Sequence, residues 1–264
     1  MTRVAILGVG KLGESIAEGL LASGEIGLLY LVERSQERRQ HAARRFRATV
    51  TVDPVAACRF SDVIVLAVKP GDVLELASSI ATAIKPGQTV VSVAAGVKTE
   101  RIKAALGGHQ RVARVMPNLA VAVRSAVSGI YSENNEAREL ATFLFGLLGK
   151  AIVVPTEQGI DEMTALGASA PAFVAEFLSG LIAAGEATGL PEAREIILQM
   201  TAGTLKILAD NKEDISEFVA RVRTPGGTTA AGLEEFDKGG FRQILQNAVK
   251  ASIQRATELD SEVP

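Results

Sequence analysis

Val4-Ala-Ile-Leu7-Gly8-Val-Gly10-Lys11-Leu12-Gly13 is the stretch on which the fold turns. Four apolar residues without polar alternation read as a strand buried on both faces. They run without a break into G-x-G-x-x-G and then into a helical pattern from Lys11 to Ser23. In a chain with 25 glycines the motif by itself says little; the strand before it and the helix after it give it a mechanism. Gly8 permits the tight turn, Gly10 lets the backbone approach a pyrophosphate, and Gly13 lets helix and strand pack closely. Lys11 and Leu12 begin the helix, whose N-terminus faces the phosphate charge. The alternative is a plain strand-to-helix turn.

Working outward, Leu28–Val32, Val63–Val68, Thr89–Val93 and Val112–Met116 repeat the continuous apolar run. Helical patterns separate them at 36–46, 73–84 and 100–106, which is βαβ logic and predicts a Rossmann-type doubly wound parallel sheet. Val127–Tyr131 and Ala151–Val154, flanking a helical 136–148, extend that sheet. After Pro155 helical spacing takes over at 161–188, 191–210, 216–222, 228–238 and 241–259, punctuated by Gly189-Leu-Pro191 and Gly239-Gly240. The expected domains are 1–158, binding a dinucleotide, and 159–264, all-helical. The helical half is richer in apolar residues than one small domain easily buries, so it either packs a tight internal core or presents a dimer interface.

Composition narrows the chemistry. Hydrophobic residues at 47% and charged residues at 22% make an ordinary globular chain and argue against disorder. Two His, one Cys and no Trp leave no material for a His/Cys metal site, a disulfide framework or a base-stacking surface. A net charge of -2 gives no reason to expect nucleic acid as a partner. No uninterrupted apolar run reaches the roughly 18 residues of a membrane span, and Lys11 and Glu14 interrupt the N-terminus too early for a secretory signal. With Cys58 as the lone thiol, a cytoplasmic location and no membrane partner are the expectation. His41 and His109 lie away from the strand ends where chemistry is expected.

Glu33, 20 residues after Gly13 at the end of the second strand, stands where an acid binds a ribose 2′-hydroxyl and would favour NADH. Arg34 follows at once, and a guanidinium there suits the extra phosphate of NADPH. The choice between the two cofactors stays open. Further segments sit at strand ends: Ala67-Val68-Lys69-Pro70, Ser92-Val-Ala-Ala95-Gly96 and Arg114-Val-Met-Pro-Asn118. They should line the groove for ribose and nicotinamide. Asn118 can serve a carboxamide or a turn, and Lys69 is either a positioning residue or a solvated strand end. In Thr224-Pro225-Gly226-Gly227-Thr228-Thr229 we expect Thr224 as N-cap, Pro225 in the first turn, and open amides at Gly226, Gly227 and Thr228 that hold an anion.

In this order and spacing these segments closely resemble the pyrroline-5-carboxylate reductases, from Val4 to about Leu259. The most specific part is Pro225-Gly-Gly-Thr-Thr229 followed by Lys238-Gly-Gly-Phe241. The resemblance implies hydride transfer from NADPH or NADH to a cyclic imine carboxylate, giving proline. It implies substrate at Thr224, Gly226, Gly227 and Thr228, and at Thr229 the hydroxyl that bonds the ring nitrogen. It also implies a helical domain that forms a homodimer, in some members a higher oligomer. The chain departs from the family at Leu119-Ala120, at Ala168-Ser-Ala-Pro-Ala-Phe173, near Ala220 and at Pro54. A related imine reductase with another substrate and a non-catalytic dinucleotide-binding protein are the alternatives. A β-hydroxyacid dehydrogenase is disfavoured, since no lysine of the helical half is followed four residues later by Asn.

Overall fold

The computed structural model describes residues 1–211 and 214–262. Two compact units divide the chain: Met1–Ser169 together with the C-terminal segment from Ala251, and Ala170–Lys250. The 158/159 boundary expected from sequence falls at the start of a short helix that belongs to the first unit, and Val263 and Pro264 lie outside the described residues.

In the first unit β1 (Thr2–Leu7) leads to α1 (Lys11–Ser23), β2 (Ile26–Val32), α2 (Gln36–Arg45), β3 (Thr49–Thr51), α3 (Pro54–Arg59) and β4 (Val63–Leu66). Then come α4 (Val73–Ile80), β5 (Thr89–Ser92), α5 (Thr99–Ala105), β6 (Val112–Met116), β7 (Ala126–Tyr131), α6 (Asn135–Gly146), β8 (Gly149–Val153) and α7 (Gly159–Met163). The strand order is β3-β2-β1-β4-β5-β6-β7-β8. β1 pairs with β2 on one side and β4 on the other, which places a topological switch point at the end of β1. Alternate strand residues feed two cores. Val4, Ile6, Val63 and Val65 pack with Ile16 and Leu20 of α1 on one face; Ala5, Leu7, Ile64 and Leu66 pack with Val73, Ala77 and Ile80 of α4 on the other.

Every pairing is parallel except β6 with β7, which run antiparallel. The connection between them, residues 117–125, holds only a 3-10 turn at Leu119–Val123. It lacks the dozen or more residues that a parallel crossover needs. β3 and α3 lie outside the sequence expectation. Three strand residues are too few to show a period, whereas α3 carries a start signal that was readable: Asp53 accepts the amides of Val55 and Ala56 at 2.9 and 3.1 Å, with Pro54 in the first turn.

The second unit contains α8 (Ala170–Ala187), α9 (Ala193–Asn211), α10 (Ile215–Val222), α11 (Thr228–Lys238) and the first part of α12 (Phe241–Glu262). Gly189 and Gly240 take positive φ between helices, as the punctuation predicts, although Pro191 precedes the first turn of α9 instead of occupying it. Phe177, Phe236 and Phe241 gather with ring centroids 5.0 to 6.3 Å apart. Ile196, Leu198, Met200, Leu205 and Ile244 remain exposed in the single chain. Continuous helix from Gly159 to Ala187 is long and apolar enough to cross a membrane by length and composition, although Glu176 interrupts its apolar run.

Candidate active site

In the first unit the glycine loop follows β1. Gly8 has φ +102°, and its amide donates to the Val32 carbonyl at 2.9 Å. A Cβ there would stand 2.6 Å from the Ala67 carbonyl oxygen and 2.8 Å from Val68, so glycine is what lets the β1 and β4 loops touch. A Cβ at Gly13 would collide with the Gly8 carbonyl. Gly10 is different. Its φ of −84° suits any residue, and apart from its neighbours along the chain no protein atom lies within 4 Å of where its Cβ would be. It is also the N-cap of α1, a position where Ser or Asp ordinarily bonds the first-turn amides, yet no side chain does so. The amides of Lys11, Leu12 and Gly13 precede the first helical bond, from Glu14 N–H to Gly10 O at 2.9 Å. Open space beside the positive end of a 13-residue helix fits a nucleotide pyrophosphate.

At the end of β2, Glu33 turns inward, its side chain only 11% exposed. One carboxylate oxygen accepts the Val9 amide at 3.2 Å and the other the Ser35 amide at 2.9 Å. The acid expected to hold a ribose thus also braces the glycine loop against the start of α2. Arg34 is exposed and stands 3.7 Å from Asp72, which sits in the 3-10 turn Pro70–Asp72. Arg39 donates to the carbonyls of Glu33 and Arg34 at 2.9 and 2.5 Å. The partners of Asp72 and Arg39 lie in another segment or on main-chain carbonyls, which no local sequence pattern announces.

The remaining strand-end residues occupy the same end of the sheet. Ala67 donates its amide to Leu7 O at 2.8 Å; Lys69 is exposed and Pro70 half-buried. After β5, Ala95 is half-buried, and Gly96 is buried with φ +66°. Asn118 uses both ends of its amide internally. Its Oδ1 accepts the Ala120 amide at 3.1 Å, and its Nδ2 donates to Gly167 O at 3.0 Å. The histidines and the cysteine stand apart from this chemistry. His109 Nε2 lies 2.9 Å from Gln88 O, and burial lowers its pKa. Burial pushes the Cys58 thiol up to about 12.

In the second unit the structure corrects the expected cap. Thr224 is not the N-cap and Pro225 is not in the first helical turn; α11 starts at Thr228 with Gly227 as its cap. Pro225 and Gly226 instead form the middle of a tight turn, with Gly226 at φ +70° and the Gly227 amide donating to Thr224 O at 3.0 Å. Pro followed by a positive-φ Gly is the type II pattern. Gly227 N–H is therefore not an open donor. The donors ahead of the first helical bond, Ala231 N–H to Gly227 O, are Thr228, Thr229 and Ala230. Thr228 is exposed, Thr229 half-buried and Ala230 buried. The Thr224 side chain packs against Gly227, leaving no room for a Cβ there.

A family model described as pyrroline-5-carboxylate reductase dimerisation matches residues 157–259. Another, described as NADP oxidoreductase, coenzyme F420-dependent, matches residues 3–96. The pyrroline-5-carboxylate reductase of Pseudomonas aeruginosa is 32% identical over 263 residues, covering 97% of this chain and 96% of its own. The chain belongs to the pyrroline-5-carboxylate reductase family. A solved pyrroline-5-carboxylate reductase from Coxiella burnetii, 26% identical, superposes with a TM-score of 0.88 over 98% of both chains. A pyrroline carboxylate reductase from Plasmodium falciparum, solved with NADP bound, shows the same fold at 22% identity, with a TM-score of 0.89 over 98% of both chains. The pyrroline-5-carboxylate reductase fold thus accounts for both units: a mostly parallel Rossmann-type sheet and an all-helical partner.

Proposed function

We propose that this chain reduces pyrroline-5-carboxylate to proline with NADPH or NADH, the last step of proline biosynthesis. The observation that carries the reading is Gly10: a helix cap with no side chain, beside space that no protein atom fills, in a member of the pyrroline-5-carboxylate reductase family. Gly8, Gly10 and Gly13, with the amides of Lys11 and Leu12, hold the pyrophosphate. Glu33 and Arg34 meet the adenosine ribose. Ala67, Val68, Lys69 and Pro70, then Ala95, Gly96 and Asn118, border the ribose and nicotinamide end. When bound, the nicotinamide supplies the hydride.

The imine is electrophilic once protonated, so the chain's part is to orient the reactants and exclude water. The first-turn amides at Thr228 and Thr229, behind the Thr224–Gly227 turn, favour the substrate carboxylate. The Thr229 hydroxyl orients the ring nitrogen. The helical domain forms a homodimer, a reading supported by the dimerisation model and by the apolar residues that the single chain leaves exposed. The same reading accounts for the apolar helix Gly159–Ala187 in a protein located in the cytoplasm. The test is oxidation of NADPH and NADH by the purified protein with pyrroline-5-carboxylate, then with its six-membered homologue. Turnover with the five-membered imine is expected; cofactor binding without turnover of either imine overturns the reading.

A further inference from the structure

Arg114 lies in the middle of β6, its side chain only 3% exposed. Two carboxylates beyond β8 face this deeply buried guanidinium, one hydrogen-bonded to it and one close by, while Nε and Nη2 make no hydrogen bond among the described residues. Nη1 donates to Glu157 Oε1 at 3.2 Å, and Nη2 lies 3.7 Å from Asp161 Oδ1. Glu157 has a second task. It accepts the Thr99 amide at 2.7 Å and the Thr99 hydroxyl at 3.3 Å, placing a carboxylate at the N-terminus of α5, where Lys98 offers no side-chain cap. Thr99 ends the loop that begins after β5 and contains Ala95 and Gly96. Four residues past Arg114, Asn118 donates to the Gly167 carbonyl. Gly167 sits within Thr164–Ser169, a π-helical stretch of the kind often kept at functional sites. Residues 157–169 are therefore fastened at one end by Arg114 and at the other by Asn118. The same polar groups fix the two loops that follow β5 and β6.

We propose that Arg114, Glu157 and Asn118 are positioning residues for the nicotinamide, tying segment 157–169 to the Ala95–Gly96 and Pro117–Asn118 loops so that these loops hold one geometry. The inference rests on the proposed function in taking these loops as the nicotinamide border. It gives the Asn118 side chain a different task from contact with the carboxamide, since both ends of its amide are engaged within the protein.

The test uses the full chain with Glu157→Gln, which keeps an acceptor for Thr99 but removes the charge facing Arg114, and Asn118→Ala. Each variant and the wild type are titrated with NADPH, followed by nicotinamide fluorescence, and with 2′-phospho-ADP-ribose, which has no nicotinamide. Steady-state kinetics with pyrroline-5-carboxylate accompany the titrations. The expected result is a bound-NADPH emission shifted toward that of free cofactor, with affinity for 2′-phospho-ADP-ribose within about twofold of wild type and kcat lowered about tenfold or more. Unchanged emission in both variants, even with a lower melting temperature, overturns the proposal and leaves the network a structural brace. Equal weakening of NADPH and the nicotinamide-free fragment overturns it too, because the effect then belongs to the whole cleft. A wild type that alters NADPH fluorescence but reduces no imine defeats the proposed function alone, and the emission comparison still decides the positioning role.

Discussion

Two glycines of one motif have opposite reasons to be glycine. At Gly13 the protein itself forbids a side chain, since a Cβ would meet the Gly8 carbonyl. Gly13→Ala is expected to cost about 1–3 kcal/mol of stability, read as a lower melting temperature, along with dinucleotide binding. At Gly10 nothing in the protein forbids it. Gly10→Ala should change stability by less than about 1 kcal/mol yet weaken NADPH binding about tenfold or more, because the methyl enters the space read as the pyrophosphate's. Equal effects at the two positions in both measurements would contradict this division. Glu33 argues at the same scale. Its carboxylate braces the loop through Val9 and Ser35, and in the proposed function it meets the adenosine ribose, where a negative charge would oppose a 2′-phosphate. Glu33→Gln removes the charge and keeps one acceptor oxygen, for Val9 or for Ser35 but not for both. The ratio of kcat/KM for NADPH to that for NADH is expected to rise about tenfold, a difference of about 1.4 kcal/mol; an unmoved ratio would place the choice of cofactor elsewhere.

At the scale of elements, the turn ahead of α11 carries the substrate reading. Thr229→Ala should lower kcat with pyrroline-5-carboxylate more than it weakens NADPH binding, and steady-state kinetics beside a cofactor titration separate the two. An equal loss in both would move Thr229 out of the substrate role. The long apolar strands and the helices that follow them were legible because burial on both faces writes a continuous apolar run and an amphipathic helix writes its own period. β3 was not, since three residues with mixed exposure write neither. Thr224 was misread as a cap because Thr-Pro also opens a type II turn, and only the φ of Gly226 decides between them. The turn after β1 was legible for a related reason: backbone contacts at Gly8 and Gly13 leave no room for a side chain, so those residue types are forced. The Arg114–Glu157–Thr99 network was not, because its members are far apart in sequence and meet only when β6, α5 and the segment after β8 come together.

At the scale of the molecule, the scarcity of His, Cys and Trp is consistent with a reaction in which backbone amides hold the anions and the cofactor carries the redox chemistry. The exposed Ile196, Leu198, Met200, Leu205 and Ile244 make an unaccompanied chain an unfavourable state in water. Sedimentation should therefore give at least twice the 27.7 kDa of one chain, and a monomer at micromolar concentration would count against the helical unit as an interface. The central claim, hydride transfer from a reduced nicotinamide to a cyclic imine, is tested most directly by isotope. NADPH deuterated at both C4 positions is incubated with the protein and pyrroline-5-carboxylate, and the product is examined by mass spectrometry. The account predicts proline carrying one deuterium on the carbon of the former C=N bond. Unlabelled proline, or no proline while the protein binds the cofactor, would contradict it.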